Sequence, residues 1–305
     1  MRTKIIIATR SSALALVQAE TVRSLLESRW PGLDVELLKL KTQGDILLDK
    51  PLRDVGGKAL FVKEIEEALL DKRADIAVHS MKDVPGQIPA GLEIPVILKR
   101  ENPQDAWVSE KFPSLKNIPQ KSKIGTTSLR RKVQLLKQRP DLEVLELRGN
   151  VDTRLKKLHE GNFDAIILAA AGLNRLGKSD VIRELLPFIW APGQGAVGIE
   201  SREEDTDLKK LIQPFADPDT EVCVKAERVV LKRLEGGCQL PVGAQAELEN
   251  NKIHLKAFVS TPDGQKYLED HVVGDSVLAE DLGEKLSEIL LKQGAAEILD
   301  KIRKS

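Results

Sequence analysis

Residues 74–85 read Ala-Asp-Ile-Ala-Val-His-Ser-Met-Lys-Asp-Val-Pro, and this stretch decides the fold. The apolar run 76–78 predicts a short buried strand, and Pro85 keeps the segment from continuing into a helix. In open α/β sheets, ligands bind beyond the carboxyl ends of the strands. The polar residues that follow this run are Ser80, Lys82 and Asp83. They are therefore candidate site residues, and the alternative interpretation is a solvated turn with a surface ion pair.

The segments around this strand predict a parallel α/β lobe. Strands are expected at 4–9 and 34–41, with a helix between them that is capped by Ser11 or Ser12. A second helix, with apolar residues at 61, 65, 68 and 69, leads into the strand at residue 76. Strand, helix, strand, helix, strand is the order of parallel βαβ units.

A second lobe and a different C-terminal part follow along the chain. Strands at 122–125, 142–147 and 164–170 alternate with helices, which repeats the α/β order. After Gly193 come a strand at 196–200, a helix at 220–234 and alternating strands at 244–249, 252–260 and 266–273. The predicted fold class is α/β, with two lobes of mainly parallel sheets and a C-terminal α+β domain with a small antiparallel sheet.

Composition restricts the function classes. Lysine plus arginine equals aspartate plus glutamate at 47 each, so no global basic field is available to hold nucleic acid or an anionic membrane. The longest apolar run, 165–173, is far short of the roughly 20 residues that span a bilayer. Two cysteines suit a reducing cytoplasm rather than a disulfide framework. We expect a cytoplasmic protein without a signal peptide, and the balanced charge without heptads favours a monomer.

Arginines cluster where the predicted helices begin. Arg130, Arg131 and Arg154 lie in first turns, and Arg10 and Arg148 lie just ahead of helix starts. A cation there faces the positive end of the helix dipole, which costs about 0.3 to 1 kcal/mol when nothing offsets it. Free amides and guanidinium groups together match carboxylates or phosphates, so the pattern predicts a polyanionic ligand. The alternative is that each arginine extends into water.

Two sequence features suggest binding sites that their context does not support. Residues 193–198 match the dinucleotide glycine pattern and Asp217 lies at a suitable distance, but Pro187 and Pro192 stand where its buried strand should be. His79 and His159 have no partners at ligand spacing, so no metal site is expected. His79 is interpreted as a packing or hydrogen-bonding residue at the strand end.

The two cysteines differ in their surroundings. Cys223 shares a helical face with apolar residues, which predicts a small core residue. Cys238 follows two glycines in a loop after a helix, where a thiol is accessible and can carry a covalent group. The open alternative for Cys238 is an incidental thiol. Separately, the segment 42–58 has several glycines and no apolar period, which is typical of a lid or binding loop.

Six motifs in order resemble the porphobilinogen deaminase family, also called hydroxymethylbilane synthases. They are Val-His-Ser-Met-Lys-Asp-Val-Pro at 78–85, Gly-Thr-Thr-Ser-Leu-Arg-Arg at 125–131, Leu-Arg-Gly-Asn at 147–150, Ala-Ala-Gly-Leu at 170–173 with Arg175, Gly-Gln-Gly-Ala at 193–196 and Leu-Glu-Gly-Gly-Cys-Gln at 234–239. The resemblance covers almost the whole chain.

The resemblance implies a three-domain enzyme of tetrapyrrole biosynthesis. Domain 1 is expected at 1–99 and 196–216, domain 2 at 100–195, and domain 3 at 217–305. The first two are expected to be lobes like those of type II periplasmic binding proteins. A dipyrromethane cofactor is expected on Cys238 through a thioether. Four porphobilinogen molecules are then joined head to tail with loss of ammonia, and hydrolysis releases linear hydroxymethylbilane.

The same resemblance implies residue roles. Asp83 matches the carboxylate that binds pyrrole N–H groups and stabilises positive charge on the azafulvene that forms when ammonia leaves, where a preorganised anion acts most strongly. The positions that match carboxylate-binding residues are Arg10, Arg130, Arg131, Arg148, Arg154 and Arg175. Expected helpers are Ser12, Ser80, Lys82, Thr126, Ser128, Gly149 and Ala169, with Gln18 in chain elongation. Lys58 and Phe61 border the expected lid, in which Arg53-Asp54 stands where some relatives have a lysine.

The competing hypothesis is a non-catalytic bilobal protein that binds an organic polyanion. It accounts for the arginines, but it gives no role to Asp83 among them or to Cys238. An interaction protein without a ligand would leave the cations at the helix starts unexplained.

Overall fold

The computed structural model describes residues 2–42, 62–234 and 240–304. Its strands, in chain order, are β1 (Lys4–Arg10), β2 (Asp34–Leu40), β3 (Ile76–Ser80), β4 (Leu92–Ile97), β5 (Asp105–Val108), β6 (Lys123–Gly125), β7 (Glu143–Leu145), β8 (Ala165–Ala169), β9 (Ile182–Leu186), β10 (Val197–Arg202), β11 (Val242–Glu249), β12 (Lys252–Ser260) and β13 (Tyr267–Asp275). Its helices are α1 (Ala13–Arg29), α2 (Lys63–Leu70), α3 (Leu129–Gln138), α4 (Val151–His159), α5 (Ala170–Arg175), α6 (Thr206–Ile212), α7 (Pro218–Arg233), α8 (Ala279–Lys292) and α9 (Ala295–Lys304).

The chain divides into two compact units. The first comprises Met1–Glu101 and Ala196–Glu221, and the second comprises Asn102–Gly195 and Val222–Ser305. The first unit holds one five-stranded sheet, and the second holds another five-stranded sheet and a three-stranded sheet.

The sheet of the first unit has the order β2-β1-β3-β10-β4. The ladders β1–β2 and β1–β3 are parallel, while β10 runs antiparallel to both of its neighbours. Four strands thus share one direction and β10 opposes them. Ile7, Val22 and Ile76 lie fully buried in the core between this sheet and α1.

The five-stranded sheet of the second unit has the same topology, β7-β6-β8-β5-β9. Here β5 takes the place of β10, because it is the strand that runs antiparallel to both neighbours. The equivalence extends to single pairs: Val197 pairs with Ser80 in the first sheet, and Asp105 pairs with Ala169 in the second. Ser80 and Ala169 are each the last residue of the third parallel strand.

The third sheet is an antiparallel meander, β11-β12-β13. Asn250 and Asn251 form its first turn, and both have positive φ values, 51° and 62°, which asparagine tolerates better than most residues. The sheet packs on α7 and α8 around buried residues such as Val230, Leu255 and Leu286. The predicted fold class is confirmed by these three sheets.

Three short strands are absent from the sequence prediction: β4, β5 and β9. β4 and β9 are edge strands, and β4 contains Pro95, which only an edge strand accommodates because one of its sides needs no ladder hydrogen bonds. β5 has four residues, all buried. The strand predicted at 142–147 is shorter in the structure, where β7 covers Glu143–Leu145.

The helical spacing of Leu129, Val133 and Leu136 predicts that they share one apolar face of α3, and this prediction is wrong in part. Val133 is buried, but Leu129 and Leu136 are half-buried. The buried residues of α3 are Arg130, Arg131, Val133, Gln134 and Leu135. The reason is that α3 is covered on more than one side, since Val133 also packs against Phe258 of β12. A single apolar stripe therefore does not describe it.

No helix in the described ranges is both long enough and apolar enough to cross a bilayer.

Candidate functional site

The polar turn after β3 is built as the sequence predicts. β3 ends at Ser80, Met81–Asp83 form one 3₁₀ turn, and Val84 returns to extended backbone ahead of Pro85. The Met81 side chain is buried, and its N–H donates to the carbonyl of Ala196 at 3.0 Å. The turn is therefore anchored by its first residue and presents the next two.

Lys82 and Asp83 are both half-buried on this turn. Within the described ranges, no hydrogen bond or ion pair joins the Asp83 carboxylate to another side chain. A carboxylate keeps its full capacity to accept N–H donors when the surrounding protein does not use it. This is the chemistry expected of a residue that binds a ligand through N–H groups.

Gln18 and Ser80 are brought together, although they come from different elements. The Gln18 Nε2 lies 2.8 Å from Ser80 Oγ, and Ser80 Oγ lies 3.2 Å from Gln18 Oε1. Gln18 is buried on α1, whose first turn is capped by Ser12, because its Oγ accepts from the N–H of Ala15 at 3.4 Å. Arg10 is the last residue of β1 and is half-buried.

A buried acidic cluster that the sequence analysis missed lies directly behind the turn. His79 Nε2 is 2.8 Å from Glu200 Oε2, and both side chains are buried. The second oxygen of Glu200, Oε1, is buried and has no hydrogen-bond partner in the described residues. His79 is thus a hydrogen-bonding residue at the strand end, as predicted.

Glu66 on α2 belongs to the same cluster. Its pKa is raised from an ordinary 4.5 to about 7, mainly by burial and also by the negative charge of Glu200, while His79 opposes the rise. Glu66 therefore holds a proton over much of the neutral range, which reduces repulsion from Glu200. The sequence signal for this cluster is faint, because Glu66 stands in an ordinary charged run, Lys-Glu-Ile-Glu-Glu.

In the second unit, the sequence offers Thr126, Thr127 and Ser128 as caps for α3, and the helix begins after the last of them. Ser128 is the N-cap, and its Oγ accepts from the N–H of Arg131 at 3.4 Å. Thr126 supports this cap, because its Oγ1 accepts from the N–H of Ser128 at 3.2 Å. Thr126 is buried, and Ser128 is half-buried.

Arg130 and Arg131 are almost completely buried, at 4% and 6% exposure, so the alternative in which they extend into water is wrong. Arg130 donates to both oxygens of Asp105, at 2.7 and 3.1 Å. Arg131 donates from Nε to the Oδ1 of Asp105 at 2.9 Å. Their other hydrogen bonds go to the backbone carbonyls of Ile189 and Ile167. An anion does meet the cations of this helix start, and it is a carboxylate of the protein.

Asp105 is fully buried, and the sequence analysis did not nominate it. Burial alone would raise the pKa of Asp105, but Arg130 and Arg131 hold it well below the ordinary range. Burial lowers the pKa of Arg131, with Asp105 opposing that shift and Arg130 adding to it. The available sequence signal is a carboxylate at the start of the apolar run Asp-Ala-Trp-Val.

The charges of this cluster do not cancel within the described residues. Asp105 is the one carboxylate there that pairs with Arg130 or Arg131, so two guanidinium groups face one negative charge. A buried net charge costs several kcal/mol unless another ion offsets it. The cluster can therefore accept one further anionic group.

The Arg148–Asn150 segment after β7 presents a helix start of a different kind. Asn150 caps α4, and its Oδ1 accepts from the N–H of Thr153 at 2.9 Å. Gly149 has a φ of 109°, and its carbonyl accepts from Arg154 Nε at 2.7 Å. Arg148 Nε lies 3.2 Å from Glu146 Oε2. Arg148 and Arg154 are thus both in contact with groups of their own segment.

Ala169 and Arg175 lie at the two ends of the short helix α5. Ala169 ends β8 and is the N-cap position of α5, equivalent to Ser80 in the other sheet. Arg175 Nη2 donates to the carbonyl of Gly195 at 2.7 Å. The two residues are joined by one short helix, so they lie near the same end of β8.

Three nominated residues, Lys58, Phe61 and Cys238, lie outside the described residues. The same holds for almost all of the expected lid at 42–58. Cys223 is buried in the core of the C-terminal sheet, as predicted.

The rejection of the glycine motif at 193–198 as a nucleotide site is confirmed. Val197 begins a strand where that motif requires a helix, and Asp217 caps α7 by accepting from the N–H of Thr220 at 2.9 Å. His159 is exposed and lies 2.9 Å from Glu110. Across the described ranges, no group of three or more His, Cys, Asp or Glu side chains is arranged to hold a metal ion.

Comparison with known proteins identifies the family. Residues 5–210 match the family model described as "Porphobilinogen deaminase, dipyromethane cofactor binding domain", and residues 221–292 match "Porphobilinogen deaminase, C-terminal domain". The chain is 50% identical over 299 residues to the porphobilinogen deaminase of Geobacter sulfurreducens, which covers 97% of this chain and 94% of that protein.

Solved structures with a similar course of the chain have much lower sequence identity to this protein. One is a periplasmic substrate-binding protein of an ABC transporter from Coxiella burnetii, with 15% identity and a TM-score of 0.43 over 71% of this chain and 94% of that one. Another is the periplasmic VFT2 domain of BvgS from Bordetella pertussis, with 15% identity and a TM-score of 0.41 over 69% and 86%. Similarity at this level carries no argument about function. The two family models and the 50% identity do, and they show that the chain belongs to the porphobilinogen deaminase family.

Proposed function

We propose that this chain is a hydroxymethylbilane synthase, a transferase that condenses four porphobilinogen molecules head to tail with release of ammonia. Linear hydroxymethylbilane is then released by hydrolysis. The observation that carries the proposal is the match of residues 5–210 to the family's cofactor-binding domain, together with identity over almost the whole chain. The reaction belongs to tetrapyrrole biosynthesis.

A dipyrromethane group fits the residues present. It offers pyrrole N–H donors and carboxylate side arms. The Asp83 carboxylate is not engaged by any side chain of the described residues, which suits N–H donors, and the cluster of Arg130 and Arg131 lacks one negative charge, which suits a carboxylate. When bound through a thioether at Cys238, the group supplies the primer on which the chain grows.

Asp83 is assigned the role of counterion. When ammonia leaves the aminomethyl group of porphobilinogen, positive charge develops on the pyrrole. A carboxylate that is already oriented and half-buried stabilises that charge without reorganisation. The 3₁₀ turn of Met81–Asp83 supplies the orientation, because Met81 is anchored in the core. Lys82, Gln18 and Arg10 are assigned supporting catalytic roles.

The remaining nominated residues are assigned to carboxylate binding. Arg130, Arg131 and Arg154 bind the side arms of the primer, with Ser80, Lys82, Thr126, Ser128, Gly149 and Ala169. Arg10, Ser12, Arg148, Arg154 and Arg175 bind the acetate and propionate of the incoming substrate, with Lys58 and Phe61. Guanidinium groups suit this task because their planar N–H donors match a carboxylate in two bonds.

The proposal includes the setting of the reaction. The substrate is a small molecule, and the balanced charge of the chain gives neither nucleic acid nor a membrane surface a basic field to bind. We assign the protein to the cytoplasm as a monomer. We also propose the three-domain division at 1–99 with 196–216, 100–195 and 217–305, in which domain 3 carries Cys238.

The intact mass of the purified protein tests the proposal. We expect a covalent adduct of two pyrrole rings with their side arms, lost in Cys238→Ala and kept in the matched control Cys223→Ala, because Cys223 is a buried core residue. Consumption of porphobilinogen is measured on the same samples. A mass equal to that of the bare sequence, on protein that leaves porphobilinogen unchanged, rules the proposal out.

A further inference from the structure

The buried carboxylate of Asp105 stands at the centre of a charged cluster in the second unit. Asp105 is the first residue of β5 and is 0% exposed. Arg130 approaches both of its oxygens, and Arg131 approaches Oδ1 through Nε at 2.9 Å and Nη2 at 2.8 Å. Gln194 Nε2 donates to Oδ1 at 3.0 Å. One carboxylate thus holds three side chains.

Each arginine keeps N–H donors that the described residues do not use. A guanidinium group carries five N–H donors. Within the described part of the chain, Arg130 makes three hydrogen bonds, to Asp105 and to the carbonyl of Ile189. Arg131 makes two, to Asp105 and to the carbonyl of Ile167, beside its Nη2 contact with Asp105. Both side chains are therefore fixed in place with N–H groups left for another acceptor.

The fold itself does not require a carboxylate at this position. The other five-stranded sheet has the same topology, and the position equivalent to Asp105 is occupied there by Val197, the partner of Ser80. The second and third residues of α1, equivalent to Arg130 and Arg131 in α3, are Leu14 and Ala15. Two helix-start arginines and a carboxylate thus replace three apolar residues in one of two otherwise matching frameworks.

The charge of the cluster also limits what it binds. Two guanidinium groups and one carboxylate leave a single positive charge in a buried site, where charge balance is strongly enforced. Without Asp105 the same site would carry two positive charges, and the acceptors left for the two guanidinium groups in the described part of the chain would be the carbonyls of Ile189 and Ile167. Asp105 therefore sets both the geometry and the number of carboxylates that the arginine pair accepts.

We propose that Asp105 is a positioning residue for dipyrromethane binding, which holds Arg130 and Arg131 side by side and tunes the pair to accept one ligand carboxylate. The inference rests on the proposed function of the chain. Asp105 does not touch the ligand and acts through the two arginines. Gln194, from the glycine motif whose nucleotide function is rejected above, supports the same carboxylate.

Three variants test this proposal. Asp105→Asn removes the charge with little change in shape, Asp105→Glu keeps the charge and displaces it by one methylene, and Asp141→Asn is the matched control. Asp141 pairs with Arg139 at the other end of the same helix, at 2.6 and 2.8 Å, but both side chains are partly exposed. Thermal unfolding, the fraction of protein with the adduct by intact mass, and kcat and KM for porphobilinogen are measured for each.

We expect folded Asp105→Asn to carry about ten-fold less adduct and to lose on the order of 10²-fold in kcat/KM, because misplaced binding groups cost that much. Asp105→Glu should fall between Asp105→Asn and wild type, since it keeps the charge, and Asp141→Asn should match wild type. A merely structural Asp105 would lower the unfolding temperature and leave the adduct fraction of the folded protein unchanged, and that result overturns the proposal.

A measurement on protein that keeps Asp105 decides the matter should Asp105→Asn not fold. The side-chain Nε–H signal of Arg131 is recorded by NMR in unloaded Cys238→Ala, with Arg131→Lys used to assign it. We expect a slowly exchanging signal, because Asp105 holds this group before the ligand binds, and its absence contradicts the proposal. If wild-type protein carries no adduct, the proposed function itself is rejected. If wild type and Asp105→Asn carry equal fractions of adduct, only the inference about Asp105 is rejected.

Discussion

Arg130 and Asp105 form a two-bond ion pair inside the second unit, with Nη1 to Oδ2 at 2.7 Å and Nη2 to Oδ1 at 3.1 Å. The arginine stands in the first turn of a helix, where the helix dipole disfavours a cation. Asp105 offsets that cost for Arg130 and, through the same carboxylate, for Arg131. The anion inferred from the positions of these arginines is therefore supplied partly by the protein, and one positive charge remains for a ligand.

Replacement of Asp83 separates cofactor assembly from turnover. We expect Asp83→Ala to retain the covalent adduct and to lose turnover by on the order of 10³-fold, because a preorganised counterion contributes that much where charge develops. Intact mass and the rate of porphobilinogen consumption measure the two effects. Asp207→Ala, which removes an exposed carboxylate paired with Lys210, is the control and should behave as wild type. Full activity in Asp83→Ala would remove its assigned role.

The hydrogen bonds between Gln18 and Ser80 predict energetic coupling across two elements. In a double-mutant cycle of Gln18→Leu and Ser80→Ala, we expect a coupling of about 1 kcal/mol in the free energy of unfolding, the usual value for a side-chain hydrogen bond. A cycle of Gln18→Leu with Ser11→Ala is the control, because Ser11 bonds to the carbonyl of Leu40 instead. Additive effects in the first cycle would show that the contact contributes nothing.

The raised pKa of Glu66 predicts a specific dependence of stability on pH. Between about pH 4.5 and pH 7 the folded protein keeps a proton on Glu66 that the unfolded chain releases. The contribution of Glu66 to the free energy of unfolding is therefore most favourable below pH 4.5 and falls as the pH rises to 7. Burial of Glu66 contributes most to this shift, Glu200 adds to it and His79 opposes it.

Glu66→Gln tests this dependence, because a neutral amide removes the titration. We compare the change in the free energy of unfolding caused by Glu66→Gln at the two pH values. This change should favour the variant more at pH 8 than at pH 5, by on the order of 1–3 kcal/mol. Denaturant unfolding at the two pH values measures the difference. Glu67→Gln, the exposed neighbour that pairs with Lys63, should show little difference. A Glu66→Gln effect that does not change with pH would contradict the assigned pKa shift.

Gly149 is required by its backbone and by its surroundings. Its φ is 109°, and an added Cβ would lie 2.6 Å from the side chain of Thr153, which bonds to the cap residue Asn150. We expect Gly149→Ala to lower the free energy of unfolding by about 2–3 kcal/mol, from backbone strain and the loss of the cap. Gly161→Ala is the matched control, since Gly161 has a φ of 76° and open space around it. Gly161→Ala should lower the free energy of unfolding by about 1 kcal/mol. Equal losses for the two variants in denaturant unfolding would argue against a clash between the added Cβ and Thr153.

Much of the fold follows from local patterns. The strands that begin at Lys4, Asp34 and Ile76 and the helix cap at Ser128 are predictable, because apolar runs and capping residues act over a few neighbouring positions. β4, β5 and β9 are not, because their strand structure comes from neighbours far away in the chain. The two edge strands and the four-residue central strand have too few residues to show a period.

The candidate functional residues of the two units divide in the same way. Asp83 is predictable, because a polar turn directly follows a buried strand and the motif around it is long. Asp105 is not, because its partners are 25 and 26 residues away and its carboxylate means nothing without them. Glu66 is hidden for the same reason, since its pKa depends first on its burial in the folded chain and then on Glu200 and His79, which belong to two other elements.

The sequence by itself determined the family, the α/β lobes, the turn that presents Asp83 and the cysteine expected to carry the primer, because each is written in consecutive residues. Only the tertiary structure decided where the charges are compensated. It buried Arg130 and Arg131 against Asp105, and it placed Glu66 beside Glu200. The physical reason is that burial and the distance between charges arise only when segments far apart in the chain pack together, and these two quantities govern the electrostatic energy of each buried cluster.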